Sequence, residues 1–499
     1  MPREIELKLR LDPAAVEIMA RHPALSGVRP VAKRLCNTYY DTADLSLRRS
    51  GIALRFRRSG RQWMLTVKGG NPGAGGLAAR DEWEVPRRPG DFDFGHVDDE
   101  AIRQTLEAAR STLAPLFTTD FRRVIWRIPS PAGGGIEIAL DVGTITAGRR
   151  SEALCEVELE RHEAEDSAPL FALAGELAET LPLHPEARSK AERGYALFGK
   201  LAEKPRKTAP TPVNVRMSPI EAFQAIAFDC LDQLLRNETG AIAGDDPEFV
   251  HQARIGIRRL RSALGLFAPI LPASLVQDYA GPWREVANAL GGGRDWDVLM
   301  HETLPRVARF NARHGSDYSP PKALTRAAAR AHEKALATTR VALLHPGYSR
   351  FLLQFSAAAH GLGDADAPIV PGALAPFARA RMDRQLRRVW RIVATTHLKT
   401  HLHRHELRIE LKKLRYATDF FAPLIPAKPL ARYRKRVAAL QDILGLLNDI
   451  TVGRELISSL KHRKGPDPLD NWLATDHARV IKGLAGALKR LRRANPPWQ

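Results

Sequence analysis

At 499 residues with 44% apolar side chains, the chain has room for about two to four domains, and its composition excludes a wholly disordered polypeptide. Its three cysteines, Cys36, Cys155 and Cys230, have neither metal-ligand nor disulfide-framework spacing, which favours a reducing, cytoplasmic compartment. No apolar run approaches the roughly 20 residues of a membrane span, and the first residues do not resemble a secretory leader. The net charge of +20 is unevenly held: residues 1–200 carry 29 basic and 29 acidic side chains, whereas 201–499 carry 47 and 27. A polyanion is therefore the natural partner of the second part, and charge alone leaves RNA, DNA, an anionic membrane and inorganic polyphosphate open.

In chain order, alternating patterns predict strands over 3–11, 35–40, 52–58, 62–68, 81–86, 121–128, 135–142 and 153–161. Helices are predicted near 13–21, 98–109 and 168–180. GGNPGAGG (69–76) lacks the GKS or GKT ending of a nucleotide P-loop and reads as a hairpin connection. The proline-rich stretch 203–218 is a linker, and it coincides with the charge step. Beyond it the period changes to 3.6, with helical patterns at 219–238, 247–267, 275–291, 295–310, 320–341, 345–360, 373–395, 399–421, 429–447, 449–462 and 472–493. This helical part repeats itself. HQARIGIRRLRSALGLF (251–267) aligns on HELRIELKKLRYATDFF (405–421) at an offset of 154, and the same offset places LGGGRDWDV (290–298) on LGLLNDITV (444–452).

In the first part the strands carry charge on one face only. Glu4, Glu6 and Lys8 oppose Ile5, Leu7 and Leu9; Glu137 and Asp141 share a face, as do Glu156, Glu158 and Glu160. Arg55 and Arg57 alternate along a basic strand, Lys68 ends another, and Glu82 and Glu84 follow. Such strands suit either solvated faces or a wide barrel with its charges turned inward, where carboxylates could hold Mg²⁺ or Mn²⁺ and guanidinium groups could hold phosphate. In the second part, His251, Arg254, Arg258 and Arg261 form a helical stripe that the repeat reproduces as His405, Arg408, Lys412 and Arg415, with Arg259 matched by Lys413.

These residues carry two resemblances. EIELK (4–8), NTYYDT (37–42), LRRSGIALRFR (47–57), MLTVKG (64–69), FTTDFRR (117–123), IEIALDVG (136–143), CEVELE (155–160) and SKAERGYALF (189–198) resemble the CYTH superfamily of triphosphate tunnel metalloenzymes across 1–202. The likeness implies an α+β eight-stranded antiparallel tunnel barrel with Mg²⁺ or Mn²⁺ on Glu4, Glu6, Glu156 and Glu158, and Asp141 as a further ligand. Triphosphate would lie on Lys8, Arg55, Arg57, Lys68, Arg123, Lys190 and Arg193. Glu4, Glu6, Lys8, Glu156, Glu158 and Lys190 form the implied catalytic set, and the implied reaction is hydrolysis of inorganic triphosphate to pyrophosphate and phosphate.

HxxRxxxRRLR (251–261), its copy HxxRxxxKKLR (405–415) and GRDWDV (293–298) resemble the CHAD domain over 219–495. That likeness implies two pseudo-symmetric four-helix bundles binding polyphosphate through His251, Arg254, Arg258, Arg259, Arg261, His405, Arg408, Lys412, Lys413, Arg415, Lys435 and Arg436, with Arg384 and Arg388 as additional candidates. Association with polyphosphate granules would then fit a cytoplasmic protein. The alternatives are a noncatalytic polyphosphate or RNA scaffold, or another CYTH activity such as thiamine triphosphatase or adenylate cyclase.

Overall fold

The computed structural model describes residues 4–69, 77–129, 135–161, 167–199, 204–244, 246–313, 321–363, 374–460 and 468–499. Most of the glycine-rich 69–76 connection falls outside them. The chain divides into two compact units: Met1–Pro205 with Leu344–Gly361, and Arg206–Leu343 with Leu362–Gln499.

The first unit is built on nine strands: β1 Glu4–Leu11, β2 Val31–Asp41, β3 Ala53–Ser59, β4 Gln62–Gly69, β5 Leu77–Pro86, β6 Ala114–Pro129, β7 Gly135–Ala147, β8 Arg150–Arg161 and β9 Leu183–Pro185. They form one antiparallel sheet in the order β5-β4-β3-β2-β6-β7-β8-β1-β9. This corrects the expected eight-stranded tunnel barrel: the sheet has nine strands and its order has two ends, β5 and β9. A short further pairing joins β5 to β1, from Glu4↔Arg80 to Leu7↔Leu77, so the sheet curls back toward itself. The ninth strand pairs with Leu9, Arg10 and Leu11 of β1. At three residues, LHP, it is too short to show a period of two.

The alternation along each strand sets its two environments. Leu7, Leu9, Leu11, Ile138, Leu140, Val157 and Leu159 are buried in a core with Leu170 and Phe171 of the helix Ala168–Leu177. A second core gathers Leu54, Phe56, Leu65, Val67 and Trp83 under Phe94, Val97 and Leu106. Helices and loops thus cover the apolar side of the sheet, while its charged side turns inward, the reverse of a small barrel with an apolar interior.

The helix Pro346–His360 belongs to this first unit although the sequence places it among the helices of the second. Leu353 enters the β1–β8 core, Ser349 meets His184 of β9 at 2.8 Å, and His360 stacks on Phe171 with ring centroids 5.2 Å apart. Its amphipathic pattern specifies a buried face without saying which partner covers it.

The elements of the second unit are all helical. It forms one compact unit. The helices Pro219–Ala243 and Pro247–Phe267 pack together, as do their repeats Leu374–Thr396 and His401–Phe420. The patterns at 429–447 and 449–462 are one continuous helix, Ala427–Ser459: Leu440, Leu444, Leu447 and Ile450 carry the buried stripe straight through Gly445 and Asn448. The pattern near 295–310 is interrupted by the π-helical turn Val298–Thr303. No described helix is long and apolar enough to cross a membrane.

Because Leu353 is only 1% exposed within the first core, Leu353→Ala should destabilise this unit by about 2–4 kcal/mol. Hydrogen exchange of the β1 and β8 amides should accelerate accordingly. Unchanged protection would show that the helix Pro346–His360 contributes nothing to that core.

Candidate active site and cation cluster

The inward face of the sheet lines a cavity of about 280 Å³. One wall carries Glu6 and Lys8 from β1 with Glu158 and Glu160 from β8; the facing wall carries Arg55 and Arg57 from β3, Lys68 from β4, and Glu82 and Glu84 from β5. Arg123 of β6 and Lys190 complete it. Each strand residue among them falls on the side its parity dictates, opposite the buried apolar side chains.

Lys190 is placed by a helix rather than a strand. Ser189 caps Lys190–Phe198 through a capping box with Glu192, which fixes where the helix begins. One turn on, a Cβ at Gly194 would lie 2.0 Å from the Phe117 ring, so only glycine lets this helix sit so close to β6. Tyr195 donates to Asp41 at 2.9 Å, and Asp41 also accepts from the Leu47 and Arg48 amides at 2.9 Å each. The NTYYDT and RGY segments thus serve partly to hold the wall in place.

Lys190 Nζ lies 2.8 Å from Asp141 and 2.7 Å from Glu158, and also contacts Glu156. Arg123 donates twice to Asp141, at 2.8 and 2.7 Å, and once to Glu158. Burial works against the Lys190 ammonium, but Asp141, Glu156 and Glu158 together hold its pKa well above the ordinary value. Lys8 is governed likewise: burial opposes its charge, and Glu6, Glu158 and Glu156 more than offset it. The two neighbouring glutamates diverge. Burial pushes Glu156 up to about 7, whereas at Glu158 burial is overcome by Lys190, Arg123 and Lys8, which hold it well below the usual carboxylate range.

Two groups of carboxylates bring oxygen atoms within 4.8 Å of one another, Glu6–Glu158–Glu160 and Asp141–Glu156–Glu158. Both donor sets fit a hard divalent cation. The first opens on the cavity; the second is fully buried and already neutralised by Lys190 and Arg123. Glu6 Oε1 is buried and accepts no hydrogen bond, although Lys8 lies 3.3 Å away as an ion pair.

Of the residues predicted from sequence, Glu6, Lys8, Arg55, Arg57, Lys68, Arg123, Glu158 and Lys190 line the cavity. Asp141 and Glu156 lie behind it, 0% and 1% exposed. Arg193 is turned to Glu152 at 2.7 Å and Glu156 at 3.2 Å. Glu4 sits in β1, but its side chain lies outside the described residues. Sequence reasoning left Glu160, Lys33, Glu82, Glu84 and Glu137 out of the site, and all five line it. Strand parity was the available signal for Glu160, which shares the face of Glu156 and Glu158.

The basic wall is internally paired. Glu82 is 2.6 Å from Lys68 and 3.3 Å from Arg55; burial opposes its ionisation, yet Lys68 and Arg55 lower its pKa to about 2. Arg57 donates to Asn37 at 3.1 Å and lies 3.7 Å from Glu84.

In the helical unit the two repeated stripes converge. Arg254 feels Arg258, Arg294 and Arg408, and Lys412 feels Arg258, Arg408 and Arg415. Burial, with Asp295 opposing it, leaves Arg254 at about 10. Burial and the surrounding arginines bring Lys412 down to about 6, and burial with Arg294 brings His251 down to about 4. His405 Nδ1 lies 3.0 Å from Asn448 Oδ1, and Arg415 packs over Tyr416. Lys435 and Arg436 lie on an exposed helix face.

Two predicted ligands are engaged elsewhere. Arg259 is 1% exposed and donates to Gln233 at 2.8 Å and Asp229 at 2.7 Å; Lys413 is ion-paired with Glu410 at 2.5 Å. Gly256 and Ala263, at −3 and +4 from Arg259, were the signal for a guanidinium on the packed face.

Comparison with known proteins agrees with this division. The CYTH domain model matches residues 2–195 and the CHAD domain model residues 225–458. An inorganic triphosphatase of Haemophilus influenzae is 31% identical over 205 residues, 40% of this chain and 56% of that protein, so the chain spans just over half the length of this curated relative. The crystal structure of the CHAD domain from Ricinus communis is 30% identical, covers 59% of this chain and 94% of its own, and has a TM-score of 0.45. A Hippeastrum protein described as an adenylyl cyclase with dominant triphosphatase activity is 22% identical over 40% of this chain and 97% of its own, with a TM-score of 0.32. The chain therefore belongs to the proteins in which a CYTH domain is joined to a C-terminal CHAD domain.

Proposed function

We propose that the first unit is a metal-dependent inorganic triphosphatase and that the second binds inorganic polyphosphate. The observation that carries the first reading is the convergence of Glu6, Glu158 and Glu160 with Lys8, Arg55, Arg57, Lys68 and Arg123 on one cavity. Glu6, Glu158 and Glu160 would hold Mg²⁺ or Mn²⁺, which when bound supplies charge neutralisation and orientation for phosphoryl transfer. Arg55, Arg57 and Lys68 face these carboxylates and bind the phosphate oxygens, the arginines through their planar forks. Lys8 and Arg123 neutralise charge beside the acidic wall.

Phosphoryl transfer passes through a loose transition state, so positioning and electrostatics do most of the work. An attacking water loses a proton toward the carboxylate wall, the terminal phosphoanhydride bond breaks, and the basic wall stabilises the departing pyrophosphate. The triphosphatase activity named for the Haemophilus relative supports the choice of substrate class.

In the second unit, the clustered stripes offer repeated contacts to a long polyanion, whose binding weakens with salt as counterions are released. This supports polyphosphate as the ligand, with competition by RNA of equal charge as the opposing test.

Glu6→Gln and Arg57→Ala should each lower triphosphate hydrolysis by about 100-fold or more while leaving the melting temperature unchanged. Steady-state assays of the full chain with triphosphate, ATP and thiamine triphosphate, with Mg²⁺ or Mn²⁺ and after chelation, check this. Full activity in either variant, metal-independent turnover, or preference for ATP or thiamine triphosphate would contradict the assignment.

The Lys412 value of about 6 has its own consequence for the second unit. Neutral above that pH, Lys412 gains a positive charge below it, so polyphosphate affinity should rise as pH falls from about 7 to 5. At fixed ionic strength Lys412→Met should remove most of that rise; an unchanged slope would exclude this lysine from the contact.

A further inference from the structure

The cations that line the cavity of the first unit are compensated unequally. Lys8, Arg55, Arg57, Lys68, Arg123 and Lys190 each form a salt bridge with a carboxylate. The remaining lining cation is Lys33 of β2. Among the described residues its ammonium makes no hydrogen bond or salt bridge. Burial, Arg123 and Arg57 lower its pKa, and Glu137 works the other way; that carboxylate is already held by Arg127 at 2.9 Å.

Lys33 stands at the open end of the cavity. Alternate residues of β2 share its face: Leu35, Asn37 and Tyr39 are 1%, 0% and 3% exposed, whereas Lys33 is exposed to solvent. Tyr39 packs with Ala191 and Tyr195 of the helix Lys190–Phe198. The strand from Lys33 to Tyr39 spans about 20 Å, so β2 runs from a solvated rim to the level of the helix that carries Lys190. Lys8, Arg55, Arg123 and Lys190 are buried. The paired cations therefore belong to the inner walls, and the unneutralised one to the rim.

We propose that Lys33 is a specificity-determining residue that holds the outer free phosphate of inorganic triphosphate and so favours it over nucleoside triphosphates. The inference rests on the triphosphatase reading of this cavity. Inorganic triphosphate ends in a free phosphate on both sides, so whichever end enters first, a densely charged group remains at the rim. A nucleoside triphosphate entering by its free end leaves there an esterified phosphate, with less charge and fewer free oxygens. An ammonium without a carboxylate partner gains most from the first. The lining offers a base little in exchange, because its aromatic side chains are engaged. Tyr39 stacks on Phe117 with ring centroids 4.6 Å apart and accepts from Arg55 at 3.2 Å, while Phe121 lies beneath Arg123 and Lys190.

The test compares the full-length wild type with Lys33→Met and Lys33→Arg. Steady-state kcat/KM with Mg²⁺ is measured for inorganic triphosphate and for ATP, and the affinity for each is measured by calorimetry in metal-free buffer. Lys33→Met should lower both triphosphate quantities about tenfold and those for ATP less than about twofold, with unchanged melting. Lys33→Arg should restore the triphosphate values. Equal losses for the two anions, or an unaltered triphosphate affinity in Lys33→Met, overturns the inference. A wild type that binds triphosphate without hydrolysing it, and loses that affinity selectively in Lys33→Met, contradicts the triphosphatase reading while upholding Lys33 as the discriminating contact. A wild type that binds no triphosphate overturns both.

Discussion

The first unit depends on the ammonium of Lys190 being held among Asp141, Glu156 and Glu158, with Arg123 braced against the same carboxylates. Burying isolated charges costs several kcal/mol each, and the cost is offset only where opposite charges and hydrogen bonds meet them with good geometry. Here acids and bases arrive from different elements, so the inward face stays folded while remaining charged. The same pairing divides the carboxylates. Asp141 and Glu156 are committed to Lys190 and Arg193 behind the wall, whereas Glu6, Glu158 and Glu160 face the cavity. Removing Lys190 would leave the buried acidic cluster compensated only by Arg123 and Arg193, which makes this residue structural as well as chemically placed.

Strand parity made much of this legible. Once Leu7 and Leu9 belong to the core, Glu6 and Lys8 must share the opposite face, and the same logic carries Arg55, Arg57 and Glu158 inward. Parity fixes a face but not a depth along the strand: Asp141 and Glu156 do lie beside Glu158, their oxygens within 4.8 Å, yet only Glu158 lines the cavity. Nor does it count strands: β9 is too short to show a period, and the strand order replaces the expected closed barrel of eight with a curled sheet of nine. The helix Pro346–His360 shows the same limit for helices, because an amphipathic stripe announces that a face is covered without naming what covers it.

In the second unit the offset of 154 was visible in the sequence, but a repeat of residue types is not a repeat of environments. Arg259 and Lys413 align, yet one is sealed against Asp229 and Gln233 while the other reaches Glu410 at the lining of a cavity. Their helical phase is the same; the neighbour one turn back differs, Gly256 beside Arg259 being replaced by Glu410, which takes the Lys413 ammonium. What remains of the two stripes, Arg254 and Arg258 with Arg408 and Lys412, forms a single cationic cluster whose mutual repulsion and burial depress Lys412. A ligand of dense negative charge would offset that repulsion and restore the Lys412 charge, which connects the charge step between the two parts of the chain to binding.

The central claim is that opposite walls of one cavity hold a divalent cation and a triphosphate at the same time. Crystals of the full chain grown with Mn²⁺ and a non-hydrolysable triphosphate analogue test it most directly through the anomalous signal of the metal. The account predicts a manganese peak among the carboxylates of Glu6, Glu158 and Glu160, with phosphate density reaching Arg55, Arg57 and Lys68. Manganese bound elsewhere, or a cavity in which neither ligand appears at saturating concentration, would contradict it.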